Sequence, residues 1–396
     1  MLPAIVGGKP VRKEFIPYGK QYIDEQDIQA INEVLVSPYL TTGPRVKQFE
    51  SELCKLTGSK YAIAVSNGTA ALHAACYSAG ISRGDEVITT PITFAASANC
   101  ILYCGGTPVF ADIDSDTWNI DPKEIERKIT TKTKAIIAVD FTGQAVQINE
   151  IKAICKKYKL IFIEDAAHSI GTKYNGILIG AHADLTTFSF HPVKTITCGE
   201  GGAILTNNEE YYKKMMLFRT HGITRDENLL THTPFDGYNE QIELGYNYRM
   251  TDFQAALGIS QLGKLDLFSN RRKVIVNRYN EAFSEIPEII IQKEIKESNT
   301  TRHLYIIRLK PDKLKAGRNE IYKALNAENV GLQVHYVPVY FHPYYQKLGY
   351  KKGLCPKAEA LYEEIITIPL YYSMSNEDVE SVIEAVKRVI SYYKIN

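Results

Sequence analysis

The chain reads as an α/β protein, with a mostly parallel central sheet flanked by helices and a small C-terminal α+β domain. Three observations predict this. Short β-forming runs alternate with helix-periodic stretches from residue 61 to residue 165. The run Leu160-Ile161-Phe162-Ile163 is apolar throughout, as a strand covered on both faces of a parallel sheet must be. The 396 residues, 45% hydrophobic and 23% charged, suffice for a large core and more than one domain.

In chain order, residues 1–20 carry Gly7-Gly8-Lys9-Pro10 and read as an arm. A helix is predicted over 25–36, with Ile28, Ile31, Val34 and Leu35 at helical spacing, and Ser37-Pro38 stops it. Tyr39-Leu40-Thr41-Thr42-Gly43-Pro44 reads as a loop. A strand over 61–65 passes through Ser66-Asn67-Gly68-Thr69 into a helix over 70–78 that ends at Gly80. The unit then repeats: strands over 86–90, 108–111, 135–140 and from Leu160, and helices over 95–103, 122–129 and 149–157. A strand over 186–190 stops at His191-Pro192, because proline cannot donate to a ladder, and another covers 203–206.

The segment 224–238 lacks periodicity and is expected to be a loop packed on a partner. Thr251 is the expected N-cap of a helix over 253–262. An amphipathic helix over 264–286 ends at Pro287. The expected division is arm 1–20, large domain 21–265 and small domain 266–396. The small domain should hold strands over 302–309 and 332–337 and a helix over 319–327. Its last helix opens on a Ser375/Asp378 capping box and carries Val379, Val382, Ile383 and Val386 on one face.

Composition excludes several classes. A net charge of +1 provides no basic field for nucleic acid, and no apolar run is long enough to span a membrane. Seven cysteines without CxxC spacing, and an N-terminus Met1-Leu2-Pro3-Ala4 unlike a signal peptide, point to a reducing cytoplasm. Cys100 and Cys104 share a helix face, where packing accounts for them better than a metal does. Neither GxxxxGK[ST] nor GxGxxG follows the strand at 61–65, which argues against nucleoside triphosphate or dinucleotide binding there.

The chemistry concentrates at strand ends. Lys194 follows the strand that stops at His191-Pro192 and precedes Gly199, Gly201 and Gly202. A desolvated lysine there becomes a nucleophilic amine, whereas a solvated one is only a loop lysine. Asp165 ends the Leu160 strand, so it and Lys194 are expected at the carboxyl edge of one sheet, where ligands bind in open α/β folds. An amine and a carboxylate on that edge match pyridoxal 5'-phosphate (PLP), which needs one group for its aldehyde and one for its ring nitrogen. A structural ion pair is the alternative. The turn at Ser66–Thr69 opens a helix N-terminus, an anion site that suits phosphate, although Thr69 could simply cap the helix. Phe94, at a strand end, can stack on a flat ring or pack in the core.

Taken together, VSNGTAALH, TTPITFAASAN, IEDAAHSIG, SFHPVKTITCGEGGAI, LTTGP and ELGYNYRMTDFQAALG resemble the DegT/StrS sugar-nucleotide aminotransferases, and the resemblance runs from about Tyr18 to the last helix. It implies the fold type I PLP architecture. It also implies transfer of an amino group from L-glutamate to a nucleotide-linked keto sugar through PLP and pyridoxamine phosphate. Within the group, SFHPVKTIT, TTPITFAASAN, ELGYNYRMTD and QVHY look most like the branch that aminates a UDP-linked 4-keto-6-deoxy-N-acetyl-altrosamine for pseudaminic acid, with the perosamine, bacillosamine and dTDP-amino-sugar branches as alternatives and a non-catalytic regulatory protein that binds PLP or a sugar nucleotide as the reading from another class. Carried over residue by residue, Lys194 binds the aldehyde, Asp165 pairs with the ring nitrogen, Phe94 stacks on the ring and His168 lies beside its phenolic oxygen. Gly68, Thr69 and Ser189 match phosphate-binding positions. Asn247 matches an asparagine reaching the phosphate from a neighbouring subunit, which implies at least a homodimer. The sugar nucleotide is expected against Tyr18, Tyr39, Leu40, Thr41, Asn67, Gln333, Val334, His335 and Tyr336. One departure is Tyr340, where many members carry histidine.

Overall fold

In the computed structural model, which describes residues 2–232 and 235–395, the alternation of elements builds a seven-stranded sheet. The first half contains α1 (Glu25–Leu35), α2 (Pro44–Thr57), β1 (Tyr61–Val65), α3 (Gly68–Ser78), β2 (Glu86–Thr89), α4 (Ala96–Tyr103), β3 (Thr107–Phe110), α5 (Pro122–Lys128), β4 (Thr133–Val139), α6 (Ile148–Tyr158) and β5 (Ile161–Asp165). A hairpin, β6 (Lys173–Tyr174) and β7 (Ile177–Leu178), precedes β8 (Leu185–Ser189), β9 (Gly202–Thr206) and α7 (Glu209–Phe218). Then come β10 (Ile223–Thr224), β11 (Glu240–Gln241), α8 (Asp252–Leu262) and α9 (Leu265–Ser284). The remainder is β12 (Ile289–Ile291), β13 (Ser298–Asn299), β14 (Tyr305–Leu309), α10 (Arg318–Ala327), α11 (Pro343–Lys347), α12 (Pro356–Glu364), β15 (Ile365–Ile368) and α13 (Asn376–Tyr393).

The sheet order is β1-β9-β8-β5-β4-β2-β3. Strands β3, β2, β4, β5 and β8 are parallel, while β9 runs antiparallel to both β8 and β1. The reversal has a local cause: no helix lies between β8 and β9 to carry the chain back across the sheet. Every strand except β9 therefore ends at one edge, and the loop bearing Lys194 lies across it. Ile63, Ile88, Ile136 and Ile163 are fully buried in the sheet.

A second core forms where Tyr279 and Phe283 of α9 pack with Ile307, Ile366, Val382 and Val386 around the sheet β12-β14-β15. The N-terminal segment is bound to this unit. Ile16 joins its core, and the buried Glu328 carboxylate accepts the N–H groups of Ala4 and Val11. The capping box at Ser375 forms as expected: the Asp378 N–H donates to Ser375 Oγ and the Ser375 N–H to Asp378 Oδ2.

Some local expectations are corrected. Residues 332–337 form no strand. Gln333 and Thr367 make one isolated bridge, and Pro338 has no N–H to extend it. Helix α3 begins at Gly68, and Asn67 rather than Thr69 caps it, its Oδ1 accepting the Ala70 N–H at 2.8 Å. The segment expected to be a loop over 224–238 includes residues 233 and 234, which lie outside the described residues. Either side of them the chain is pinned by Glu240, which accepts the Thr231 and His232 N–H groups and the Tyr238 hydroxyl.

Candidate active site

The carboxyl ends of β5 and β8 are in register, with Val139 beside Asp165 and Asp165 beside Thr187. Above them opens a cleft of about 1070 Å³. It is lined by Lys194, Asp165, Gly68, Thr69, Phe94, His168, Ser189, Tyr18, Asn67, Gln333, Val334, His335 and Tyr336, so most of the residues picked from sequence meet in one place. Tyr39, Leu40, Thr41 and Asn247 do not line it. Thr41 bridges Thr251 and Leu40 O accepts the Asp252 N–H, while Asn247 is exposed and bridges Thr220, between Tyr246 and Tyr248, which do line the cleft. Tyr340 is fully buried outside the cleft. It donates to Glu359 Oε1 at 2.6 Å and accepts the Cys355 N–H, so its departure from the family pattern falls on packing.

Asp165 is 4% exposed. Burial raises its pKa, opposed by a hydrogen bond from Ser97 Oγ at 2.7 Å to Oδ2, one from the Ala167 N–H at 3.2 Å to Oδ1, and the charge of Lys194. Burial also lowers the Lys194 ammonium to about 8, with Asp165 pulling the other way. Lys194 Nζ makes no hydrogen bond or ion pair among the described residues, which leaves the amine free to react.

His168 donates or accepts at Nε2 with the Tyr336 hydroxyl at 3.2 Å, while its buried Nδ1 has no partner. Burial first, then Lys194 and His335, hold its imidazole neutral. His303, not singled out from sequence, packs on it at 4.5 Å between ring centroids. The Phe94 ring is 63% exposed over the cleft, which sets aside core packing for this residue.

The first turn of α3 faces Ser189. A methyl group on Gly68 would come within 2.8 Å of Ser189 Cβ, and one on Gly202 within 2.4 Å of the Asn67 carbonyl oxygen, so both positions need glycine to bring helix and strands together. The Gly68 and Thr69 N–H groups have no acceptor among the described residues and open on the cleft beside the Ser189 hydroxyl. Tested against PLP, the donor set fits. It combines an amine with lowered pKa, a buried acid, an unpartnered imidazole nitrogen, an open aromatic face and a backbone anion cradle.

Sequence reading passed over Ser97 and Thr93. Their signal was present: Thr93 and Ser97 flank Phe94, four residues apart, at the entry to α4.

A parallel sheet with an amine and an acid at its carboxyl edge and a second antiparallel unit beside it defines a fold type I transferase. The family model for DegT/DnrJ/EryC1/StrS aminotransferases matches residues 21–387, and the chain belongs to that family. It is 42% identical to the spore coat polysaccharide biosynthesis protein SpsC of Bacillus subtilis over 96% of this chain and 98% of that one. It is 39% identical to the UDP-4-amino-4,6-dideoxy-N-acetyl-beta-L-altrosamine transaminase of Campylobacter jejuni, over 94% and 99% of the two chains. Among solved structures, Helicobacter pylori PseC, an aminotransferase of pseudaminic acid biosynthesis, superposes with a TM-score of 0.89 at 33% identity, covering 96% of this chain and all of that one. The putative sugar aminotransferase Spr1654 of Streptococcus pneumoniae, solved in PLP and PMP forms, gives TM-scores of 0.89 and 0.90 at 32% identity, covering 96% and 95% of this chain and 99% of that chain in each form.

Proposed function

We propose that this aminotransferase moves an amino group from L-glutamate to a keto sugar carried on a nucleotide, with PLP bound in the cleft described above. One observation carries it: the lowered-pKa amine of Lys194 and the buried carboxylate of Asp165 meet in a cleft that also holds an open helix N-terminus. Lys194 would hold the cofactor aldehyde and Asp165 the proton on the ring nitrogen. Gly68, Thr69 and Ser189 would take the phosphate, Phe94 would lie on the ring, and His168 would stand beside the phenolic oxygen. When bound, PLP supplies an electron sink that accepts an amino group from one substrate and yields it to another.

The chain's own work is proton transfer and orientation. Lys194 Nζ takes the proton from Cα of glutamate in the first half-reaction. In the second it returns a proton to the sugar carbon that receives the amine. Asp165, whose oxygens accept from Ser97 Oγ and the Ala167 N–H, would support positive charge at the ring nitrogen of bound PLP. Two substrates using one site in turn should show ping-pong kinetics.

For the acceptor, the Campylobacter relative and the PseC superposition support a UDP-linked 4-keto-6-deoxy-N-acetyl-altrosamine. The SpsC relative supports the wider nucleotide-sugar class. Tyr18, Asn67 and Gln333–Tyr336 would bind this substrate. Tyr39, Leu40, Thr41 and Asn247 would complete the cleft of a second copy, making the working unit a homodimer. Among the described residues no helix is long and apolar enough to cross a membrane, and with seven free cysteines we place the enzyme in the cytoplasm.

The test is incubation with UDP- and dTDP-linked 4-keto sugars plus glutamate, with the product identified by mass and NMR. The expected product is an amino sugar on UDP, with 2-oxoglutarate released. A colourless protein that gives no amino sugar from any of these acceptors would overturn the assignment.

A further inference from the structure

Asp165 does not stand alone at the end of β5. The Thr93 and Ser97 hydroxyls are 2.7 Å apart, and Ser97 Oγ is 2.7 Å from Asp165 Oδ2. All three side chains are buried, with Thr93 3%, Ser97 1% and Asp165 4% exposed. Each hydroxyl has a single proton, and an ionised carboxylate only accepts. With Asp165 ionised, Ser97 must therefore donate to Oδ2. Thr93 must then donate to Ser97. The Ala167 N–H holds the other oxygen, Oδ1, from the backbone. The carboxylate is gripped at both oxygens, and the grip on Oδ2 comes from α4 rather than from its own strand.

We infer that Thr93 and Ser97 are positioning residues: a two-hydroxyl relay that keeps Asp165 ionised and fixes its rotation, and so sets how firmly the site holds a proton on the cofactor ring nitrogen. Resting on the PLP reading above, this adds a role for two cleft-lining residues that act through Asp165. Its physical basis is competition. Desolvation pushes a buried carboxyl toward its neutral form, and a donated hydrogen bond to the charged form opposes it. Remove the donor and Asp165 is left with one backbone bond at 3.2 Å, free to protonate or turn away. Phe94 lies between the two hydroxyl residues in sequence, so one short turn both offers a ring face to the cleft and braces the acid.

The experiment uses holoenzyme reconstituted with cofactor labelled with ¹⁵N in the ring, for wild type, Ser97→Ala, Ser97→Thr, Thr93→Val and Asp165→Ala. The readouts are the ring-nitrogen chemical shift against pH, which reports its protonation, and kcat and KM for the sugar nucleotide. Ser97→Ala should lower the pH at which the ring nitrogen loses its proton and reduce kcat about tenfold or more with KM little changed, whereas Ser97→Thr keeps the hydroxyl and should restore both. Thr93→Val, nearly isosteric, should shift the same way by less. A Ser97→Ala holoenzyme with wild-type ¹⁵N titration, alongside an Asp165→Ala that does move it, overturns the relay and leaves the cofactor assignment standing. If Asp165→Ala also leaves the titration unmoved, the cofactor assignment itself falls.

Discussion

At Lys194 the site turns on the cost of holding charge away from water. Burial brings its ammonium down to about 8, within reach of ordinary assay pH, so an appreciable share of the amine is neutral and able to take a proton. If freed Lys194 is the base, turnover should rise as pH climbs through about 8 and then level, as measured by kcat against pH at saturating substrates. Lys194→Ala should still bind pyridoxamine phosphate, seen by absorbance, yet lose about 10²- to 10⁴-fold or more in rate. Steady-state turnover near wild type in that variant would remove the lysine from the mechanism. A second buried group shapes stability rather than chemistry. Asp140, bonded by Ser169 Oγ and the Val146 N–H, has its carboxyl raised from 3.8 to about 7, chiefly by burial, with Asp165 adding to it. Its neutral form is the one the fold favours, so its contribution is fully present below about pH 4 and is lost as pH rises through 7. Asp140→Asn, which cannot ionise, should gain in melting temperature relative to wild type between about pH 4 and 7. A difference flat across that window would contradict the assignment.

At the scale of elements, legibility followed periodicity. Strands β1, β2, β4 and β5 and helices α1, α3, α4 and α6 were readable to within two residues, because each is a single apolar run or stripe between turn signals. Helix α2 is not predicted, although Val46, Phe49 and Leu53 sit three and four apart and are buried, because Gly43-Pro44 reads as part of the preceding loop. Residues 332–337 looked like a strand because Leu332, Val334 and Tyr336 alternate. In the structure that alternation serves the cleft, since Gln333 through Tyr336 line it instead of pairing in a ladder. Asn67 outcompeted Thr69 as cap of α3, which frees the Gly68 and Thr69 N–H groups for a ligand. The junction that presents those groups is tight enough to test. Gly202→Ala puts a methyl 2.4 Å from the Asn67 carbonyl oxygen, so either β9 or the α3 entry must shift. Overpacking of this kind typically costs about 1–3 kcal/mol, measurable by urea unfolding, and it should weaken cofactor binding as well because the displaced backbone is the anion cradle. A variant as stable and as tightly loaded as wild type would show the junction to be slack.

For the whole molecule, the telling fact is the division of the residues picked from sequence into two groups. Those on β5, β8, the α3 entry and the 333–336 segment share one cleft; Tyr39, Leu40, Thr41 and Asn247 do not line it. The resemblance already assigns Asn247 to a neighbouring subunit, whereas it carries no information about which copy supplies Tyr39, Leu40 and Thr41. Tyr39, Leu40 and Leu244, exposed apolar side chains in the segments that carry these four residues, are what a subunit contact would cover. If two copies exchange these segments, a symmetric pair has two sites, each with Lys194 from one chain and Asn247 from the other. Subunit mixing tests this without a structure of the assembly. Lys194→Ala and Asn247→Ala homodimers should each be impaired. Unfolding and refolding them together at equal amounts makes about half of the dimers hybrid, and each hybrid carries one site with both residues intact, so activity should recover to about a quarter of wild type. If Asn247 instead served its own chain's cleft, every site in every hybrid would lack one residue or the other, and mixing would recover nothing beyond the average of the two variants.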